Sequence, residues 1–325
     1  MSRVLVVGAS GFIGGALVRD LAADGVPTRA LVRRASTELP AGVERAIGDV
    51  TDLPSLHAAA HDCAVVVNLA GVLRGAREAR QVNVDGARNV CAAAAGAERL
   101  VHVSSAGVYG FRRPGDVDET TTPEPGPMPY PATKLAGERA VLDTGGPPTT
   151  IVRPALVYGP GSPVWTTAMF RLARRRRTVF LGDGSGLAPV VHVADVVSLI
   201  RVLIAHGAAP GEVFNCAADP VPTWREFLGG YAALAGRSRW LALPVGPVRA
   251  TAGLLGRLAP AGTPPAELPG LVGFLTGRRR FRVDKAARLL GWHPRVGLAE
   301  GIASCAPALR AAGLLDTPPG EGIPT

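Results

Sequence analysis

The chain has 325 residues, 47% of them apolar and 19% charged, with a mean hydropathy of +0.22, which suits one large α/β domain and a smaller lobe. No apolar run reaches the ~18 residues of a membrane-spanning helix, Arg3 leads directly into a strand-like segment rather than a signal peptide, and the four cysteines (Cys63, Cys91, Cys216, Cys305) lack disulfide or metal spacing, so a reducing cytoplasm and no metal are expected. A net charge of +9 raises nucleic acid as a partner, but the arginines are spread and no nucleic-acid motif accompanies them, so none is expected.

Val4-Leu5-Val6-Val7 is an apolar run suited to a buried parallel strand. Gly8-Ala9-Ser10-Gly11-Phe12-Ile13-Gly14 follows at once, and Ala16–Ala23 reads as helix. Strand, glycine turn and helix together are the context of a dinucleotide fingerprint. Gly8 allows the tight turn, Gly11 lets the backbone approach a pyrophosphate, and Gly14 lets helix pack on strand, with the helix N-terminus facing the phosphates. An ordinary tight strand–helix turn is the bland alternative. The second strand, from Thr28, runs into Arg33-Arg34-Ala35-Ser36. It ends without a carboxylate for ribose hydroxyls and with two guanidiniums suited to a 2′-phosphate, which favours NADP(H) and leaves NAD(H) open.

Alternation of β and α patterns continues to about residue 155, predicting a doubly wound parallel Rossmann sheet over residues 1–160. Asp116 to Tyr130 is a Pro/Thr-rich loop, Tyr130 starts a helix, and Gly145-Gly146-Pro147-Pro148 ends it before a strand at Thr149–Val152. Residues 161–325 are expected to form mainly a smaller, mixed substrate lobe, with 189–217 returning to the sheet and 316–325 a disordered tail. Arg174–Arg177 closes a helix that begins near Val164. A solvated cap complementing the helix dipole is the default reading, and a contact to an anionic substrate or lipid is the alternative. Gly236 to Gly277 reads as short apolar helices, either a lid over the site or ordinary packing.

Lys134 stands out because the chain holds two lysines, Lys134 and Lys285, among 35 basic residues. It lies four residues after Tyr130 in Tyr130-Pro131-Ala132-Thr133-Lys134, so on a helix the two share a face. A compact ammonium that guanidinium cannot imitate is expected to lower the phenol pKa from about 10. A tuned phenol passes a proton in alcohol–ketone chemistry, and a nicotinamide would carry the hydride.

These motifs resemble an extended short-chain dehydrogenase/reductase of the NAD(P)-dependent epimerase/dehydratase family over most of the chain. Gly48-Asp49-Val50-Thr51-Asp52 is similar to the segment beside the adenine, and Val65-Val66-Val67-Asn68-Leu69-Ala70-Gly71 to the fourth strand and the turn under the cofactor. Asn83-Val84-Asp85-Gly86 resembles the start of the long helix whose Asn orders the site. His102-Val103-Ser104-Ser105-Ala106-Gly107-Val108-Tyr109 resembles the fifth strand, and Arg153-Pro154-Ala155-Leu156-Val157-Tyr158 the sixth. Val191-His192-Val193-Ala194-Asp195-Val196 and Asp284 to Ile302 match weaker landmarks. The resemblance implies Ser105, Tyr130 and Lys134 as catalytic residues. It implies cofactor contacts from Gly8, Ser10, Gly11, Phe12, Ile13, Gly14, Arg33, Arg34, Asp49, Val50, Leu69, Ala70, Gly71, Asn83, Val103, Ser104, Tyr130, Lys134, Pro154, Ala155, Leu156 and Val157. Leu73, Ser105, Gly107 and Leu156 are the implied substrate contacts. Tyr109, Tyr158 and His192 read as structural, and a homodimer is expected from the resemblance.

The small-molecule substrate is less legible. Relatives that bind nucleoside-diphosphate sugars commonly carry Asn where this chain has Leu156, and an Arg shortly before the Val-x-Asp landmark where it has Gly186 to His192. Both departures favour a ketoreductase or secondary-alcohol dehydrogenase over a sugar-nucleotide epimerase or 4-ketoreductase. Ser105-Ala106-Gly107 lacks the acidic pair of a dehydratase. A non-catalytic NADP-binding sensor or assembly protein is the third reading.

Overall fold

The computed structural model describes residues 2–73, 75–110, 115–126, 128–206, 210–260 and 263–316. Residues 317–325 of the expected tail lie outside this set. Strand β1 (Val4–Val7) feeds a glycine turn and helix α1 (Phe12–Ala23), which buries Gly14, Leu17, Val18 and Leu21 on one face and stops before Gly25 at φ +66°. Strands β2 (Thr28–Val32) and β3 (Glu44–Ile47) follow, then α2 (Leu53–Ala60), β4 (Val65–Asn68), α3 (Ala76–Arg80), a π-type turn at Gln81–Gly86 and α4 (Ala87–Ala93). Strand β5 (Arg99–Val103) leads into a 3₁₀ turn at Ala106–Tyr109 and the short β6 (Gly115–Val117). Pro129 opens α5 (Pro129–Asp143), where its fixed φ suits the first turn, and β7 (Thr149–Pro154) runs on into β8 (Leu156–Tyr158).

A π-type turn at Pro163–Ala168 and α6 (Met169–Ala173) precede β9 (Thr178–Leu181), β10 (Val190–His192), α7 (Val193–His206) and β11 (Val213–Cys216). The chain continues through α8 (Trp224–Leu234), β12 (Trp240–Leu243), α9 (Val245–Leu258), α10 (Pro264–Thr276), β13 (Arg279–Phe281), α11 (Asp284–Leu290), α12 (Leu298–Ala303) and α13 (Ala306–Ala311).

It divides into two compact units. The first comprises residues 1–155, 194–217 and 281–294 and holds a seven-stranded parallel sheet in the order β11-β7-β5-β4-β1-β2-β3. β1, β2 and β4 are buried along their whole length, as strands covered on both faces must be, which explains their nearly unbroken apolar runs. From β1 the chain winds outward through β2 and β3, then reverses through β4, β5 and β7. The crevice beyond the ends of β1 and β4 is therefore the topological switch point, where doubly wound sheets bind ligands. Register aligns those ends: Val7 pairs with Asn68, and Asn68 with His102.

The second unit comprises residues 156–193, 218–280 and 295–325. It holds two parallel strand pairs, β8 with β10 and β9 with β12, and a core of edge-to-face aromatics, with Phe227 5.3 Å from Tyr158 and 5.4 Å from Tyr231. Thr223 and Glu226 close a reciprocal capping box on α8.

Candidate active site

The turn after β1 is shaped by backbone crowding. Gly8 sits at φ +82°, and a Cβ there would lie 2.8 Å from the Leu69–Ala70 peptide. A Cβ on Gly14 would lie 2.1 Å from the Gly8 carbonyl, so helix and strand touch backbone to backbone. Gly11 is the N-cap of α1; no side chain among the described residues caps that end and no acid occupies the first turn. The first-turn N–H groups of Phe12, Ile13 and Gly14 thus form a positive helix end without a built-in anion. A cleft of about 200 Å³ opens here, lined by Gly8, Ser10, Gly11, Arg33, Asp49, Val50, Leu69, Ala70 and Gly71 from among the sequence-predicted residues. Thr51 donates its N–H (2.9 Å) and hydroxyl (2.7 Å) to Asp49, and these bonds, with Arg33 nearby, hold the carboxyl below its ordinary range. A glycine cradle that any side chain would fill, an uncapped helix end and an exposed guanidinium fit a phosphate-bearing dinucleotide.

Gly48, from the segment expected beside the adenine, lines the same cleft, as do Val7, Leu31, Val72, Glu78 and Val82, which were not expected. Glu78 and Val82 come from α3 and the π-type turn, where no local motif marks them. Arg34 is exposed and does not line the cleft.

Asn83 bridges toward the second cluster. Its Oδ1 accepts from the Val72 N–H (2.8 Å), and its Nδ2 donates to the Val72 carbonyl (3.0 Å) and to Thr133 Oγ1 (3.0 Å). One side chain therefore ties the loop after β4 to α5. A Cβ on Gly71 would lie 3.7 Å from Asn83 Oδ1 and 3.9 Å from Lys134 Nζ, so floor, Asn83 and Lys134 converge.

Ser105 caps the 3₁₀ turn, its Oγ accepting from the Gly107 N–H at 3.1 Å. A Cβ on Gly107 would lie 3.2 Å from Ser105 Oγ and 3.6 Å from Pro131 Cγ, so Ser105 faces the start of α5, where its side chain favours ionisation of the Tyr130 phenol. Lys134 is buried and donates to the Val103 carbonyl at 2.7 Å. Burial pushes its pKa down to about 8, against an opposing pull from Glu138. The expected acidified phenol is not what the protein's own groups produce. Burial raises the Tyr130 pKa, and the opposing influence is Ser105 rather than Lys134. Lys134 is turned onto the Val103 carbonyl, and its charge acts instead on His102, whose pKa burial has already driven well below 6.5. His102 Nδ1 lies 3.2 Å from Asn68 Nδ2, while its Nε2 and Ser104 Oγ are buried without hydrogen-bond partners among the described residues.

Behind Lys134, one helical turn on, lies Glu138. It receives two hydrogen bonds from Arg153, from Nε (3.0 Å) and NH2 (2.6 Å), in a fully buried pair. Arg153 also donates to the Tyr109 hydroxyl (2.8 Å), which donates to Asn215 Oδ1 (3.0 Å). Glu138 escaped the sequence reading although its i, i+4 spacing from Lys134 was visible.

Pro154 ends β7 and Ala155 follows it in the first unit, where the Ala155 N–H bonds the Cys216 carbonyl at 2.8 Å. Leu156 and Val157 fall on β8 in the second unit, and Leu73 is exposed beyond the β4 loop. His192 engages Ser304 at 3.2 Å and the edge of Tyr158, both within the second unit.

The chain matches the profile of the NAD dependent epimerase/dehydratase family over residues 4–217. It is 33% identical to a 4-hydroxy-2-methyl-3-oxo-4-farnesyl-3,4-dihydroquinoline-1-oxide ketoreductase of Stigmatella aurantiaca, covering 98% of each chain. It is 31% identical to a ceramide reductase of Caulobacter vibrioides over 96% of each. Among solved structures, MoeE5 in complex with UDP-glucuronic acid and NAD superposes with a TM-score of 0.74 at 28% identity, covering 96% of this chain and 100% of that one. A profile match running from β1 to β11, with relatives aligned end to end, makes this chain a member of the NAD dependent epimerase/dehydratase family, the extended short-chain dehydrogenases/reductases.

Proposed function

We propose that the protein is an NADP(H)-dependent ketoreductase acting on an apolar, non-nucleotide ketone by a Ser105–Tyr130–Lys134 site. The observation that carries this reading is the convergence, on the unit that holds the glycine-lined cleft, of Ser105 facing the start of α5, where Tyr130 lies, with Lys134 against the cleft floor. When bound, the nicotinamide supplies the hydride. Tyr130, with its raised pKa, stays protonated at neutral pH and is suited to give a proton to the oxygen of a carbonyl undergoing reduction. Ser105 orients that oxygen. Lys134, still mostly ammonium below about pH 8, places positive charge where the cofactor ribose and the developing alkoxide both benefit.

The preference for an apolar ketone is supported by two relatives aligned over nearly their whole length, a ketoreductase of a farnesylated quinoline oxide and a ceramide reductase. Leu156 in place of the sugar-nucleotide Asn points the same way. NADP(H) is favoured by Arg33 in the cleft. Four free, buried cysteines support a reducing cytoplasm, and the family resemblance supports a homodimer. Sugar-nucleotide epimerisation is the second reading, favoured by MoeE5, whose structure contains UDP-glucuronic acid and NAD.

The test is NADPH oxidation with a panel of apolar ketones beside UDP- and dTDP-sugars. Stoichiometric NADPH consumption with a ketone is the expected result, and sugar interconversion without net consumption would overturn it. Tyr130→Phe should lower kcat by about 10²–10⁴-fold with NADPH affinity unchanged. Wild-type turnover in that variant rejects the proton donor.

A further inference from the structure

The chain's positive charge is unevenly divided. The second unit carries fifteen arginines and no lysine against seven carboxylates, a net +8 of the chain's +9, which leaves the nucleotide-binding unit at +1. The same basic unit also exposes an unusual amount of aliphatic surface on α9.

Pro247, Ala250, Leu254 and Leu258 recur on one exposed stripe of α9, with Thr251 and Leu255 beside it. Leu254, Leu255 and Leu258 keep 60%, 44% and 75% of their surface. The other side of the helix, through Val248, Ala252 and Gly256, is used for packing: a Cβ on Gly256 would lie 2.8 Å from Pro269 of α10. The helix is thus apolar on two faces, and α10 covers one of them. Arg249 and Arg257 are exposed along its flanks. Three large aliphatic side chains this open on one short helix are not scattered surface residues; they form a patch of the kind that marks an interaction site.

Leucines on one stripe with arginines alongside are the pattern of a helix lying in a lipid interface. No described helix is long and apolar enough to cross a membrane, so the contact would lie along the surface. A second copy seated on this patch would bring a +8 unit against a +8 unit, which charge disfavours. A polyanion such as nucleic acid would satisfy the arginines but leave the leucines uncovered. An anionic lipid surface answers both features at once, since headgroup phosphates meet the guanidiniums and acyl chains cover the leucines.

We propose that the second unit docks reversibly on an anionic bilayer surface, with Leu254, Leu255 and Leu258 of α9 entering the acyl boundary and Arg249 and Arg257 meeting lipid phosphates. The proposal does not depend on which reaction the site in the first unit performs.

Co-sedimentation of the full chain with sucrose-loaded vesicles tests it. Binding is expected to phosphatidylglycerol/phosphatidylcholine vesicles and not to phosphatidylcholine alone, weakening as NaCl is raised several-fold above about 0.1 M. The paired variants Leu254→Ser with Leu258→Ser, and Arg249→Gln with Arg257→Gln, should each reduce bound protein about tenfold or more. All four side chains are exposed, so thermal melts should match the parent; if one pair misfolds, the other decides. The proposal is overturned by absence of binding, by equal binding to neutral vesicles, or by binding that neither pair alters. It is also overturned if the leucine pair dissociates an oligomer in analytical ultracentrifugation, because the covering partner is then a second copy.

Discussion

Lys134 loses its proton near pH 8 rather than 10.5 because burial outweighs the attraction of Glu138. Glu138→Gln removes the opposing carboxylate, so the lysine should discharge at still lower pH. With Lys134 required as the ammonium, the alkaline limb of the kcat/KM profile should move down in pH relative to the parent. The same change leaves Arg153 buried without its counter-charge, at a cost of about 3–5 kcal/mol, so the profile is best taken at a temperature where the variant's melt shows it folded. An unmoved limb in folded variant would assign Glu138 to architecture alone. Arg33 offers a second residue-level test. If it holds a 2′-phosphate, Arg33→Ala should weaken NADP binding roughly 10–100-fold, the worth of one charge-assisted hydrogen bond, and leave NAD binding almost unaltered. Calorimetric titration with each dinucleotide reads that ratio directly.

The glycine turn and α1 act as one element, and their geometry sets a severe limit on substitution. Gly14→Ala would place a methyl 2.1 Å from the Gly8 carbonyl, against main chain that cannot rotate aside. Separating α1 from β1 should cost about 1–3 kcal/mol or more by overpacking and spoil the cradle, seen as a lower Tm together with lost NADP(H) binding. This turn was fully legible in the sequence because its signal is local: an apolar strand, three glycines at fixed spacing, then a helical pattern. The parallel order of the sheet was legible for a related reason, since alternating β and α segments have few ways to wind. Asn83 was legible as a site-ordering residue, but its bonds to Val72 and, 50 residues away in sequence, to Thr133 were not. The direction of the Tyr130 shift escaped as well. Sequence spacing places Lys134 on the same helix face, but it carries no information about the Val103 carbonyl that takes up the ammonium. Nor does it report how far the phenol is withdrawn from water.

At the scale of the molecule, composition gave the total charge and missed its distribution, because the second unit is assembled from three separated stretches of chain. The α9 leucines read in sequence as lid or core; their exposure appears only once Val248, Ala252 and Gly256 are seen to take the packing side. The cysteines present the reverse case, scattered in sequence and uniform in space. All four are free and buried, and burial lifts each thiol's pKa above its ordinary value, so the native chain denies a reagent both access and thiolate. Cys63, Cys91 and Cys216 belong to one unit and Cys305 to the other. Alkylation followed site by site in a mass spectrometer therefore becomes an intrinsic clock for conformational opening, able to tell whether the nucleotide-binding portion and the basic portion come apart in a single cooperative event or one before the other.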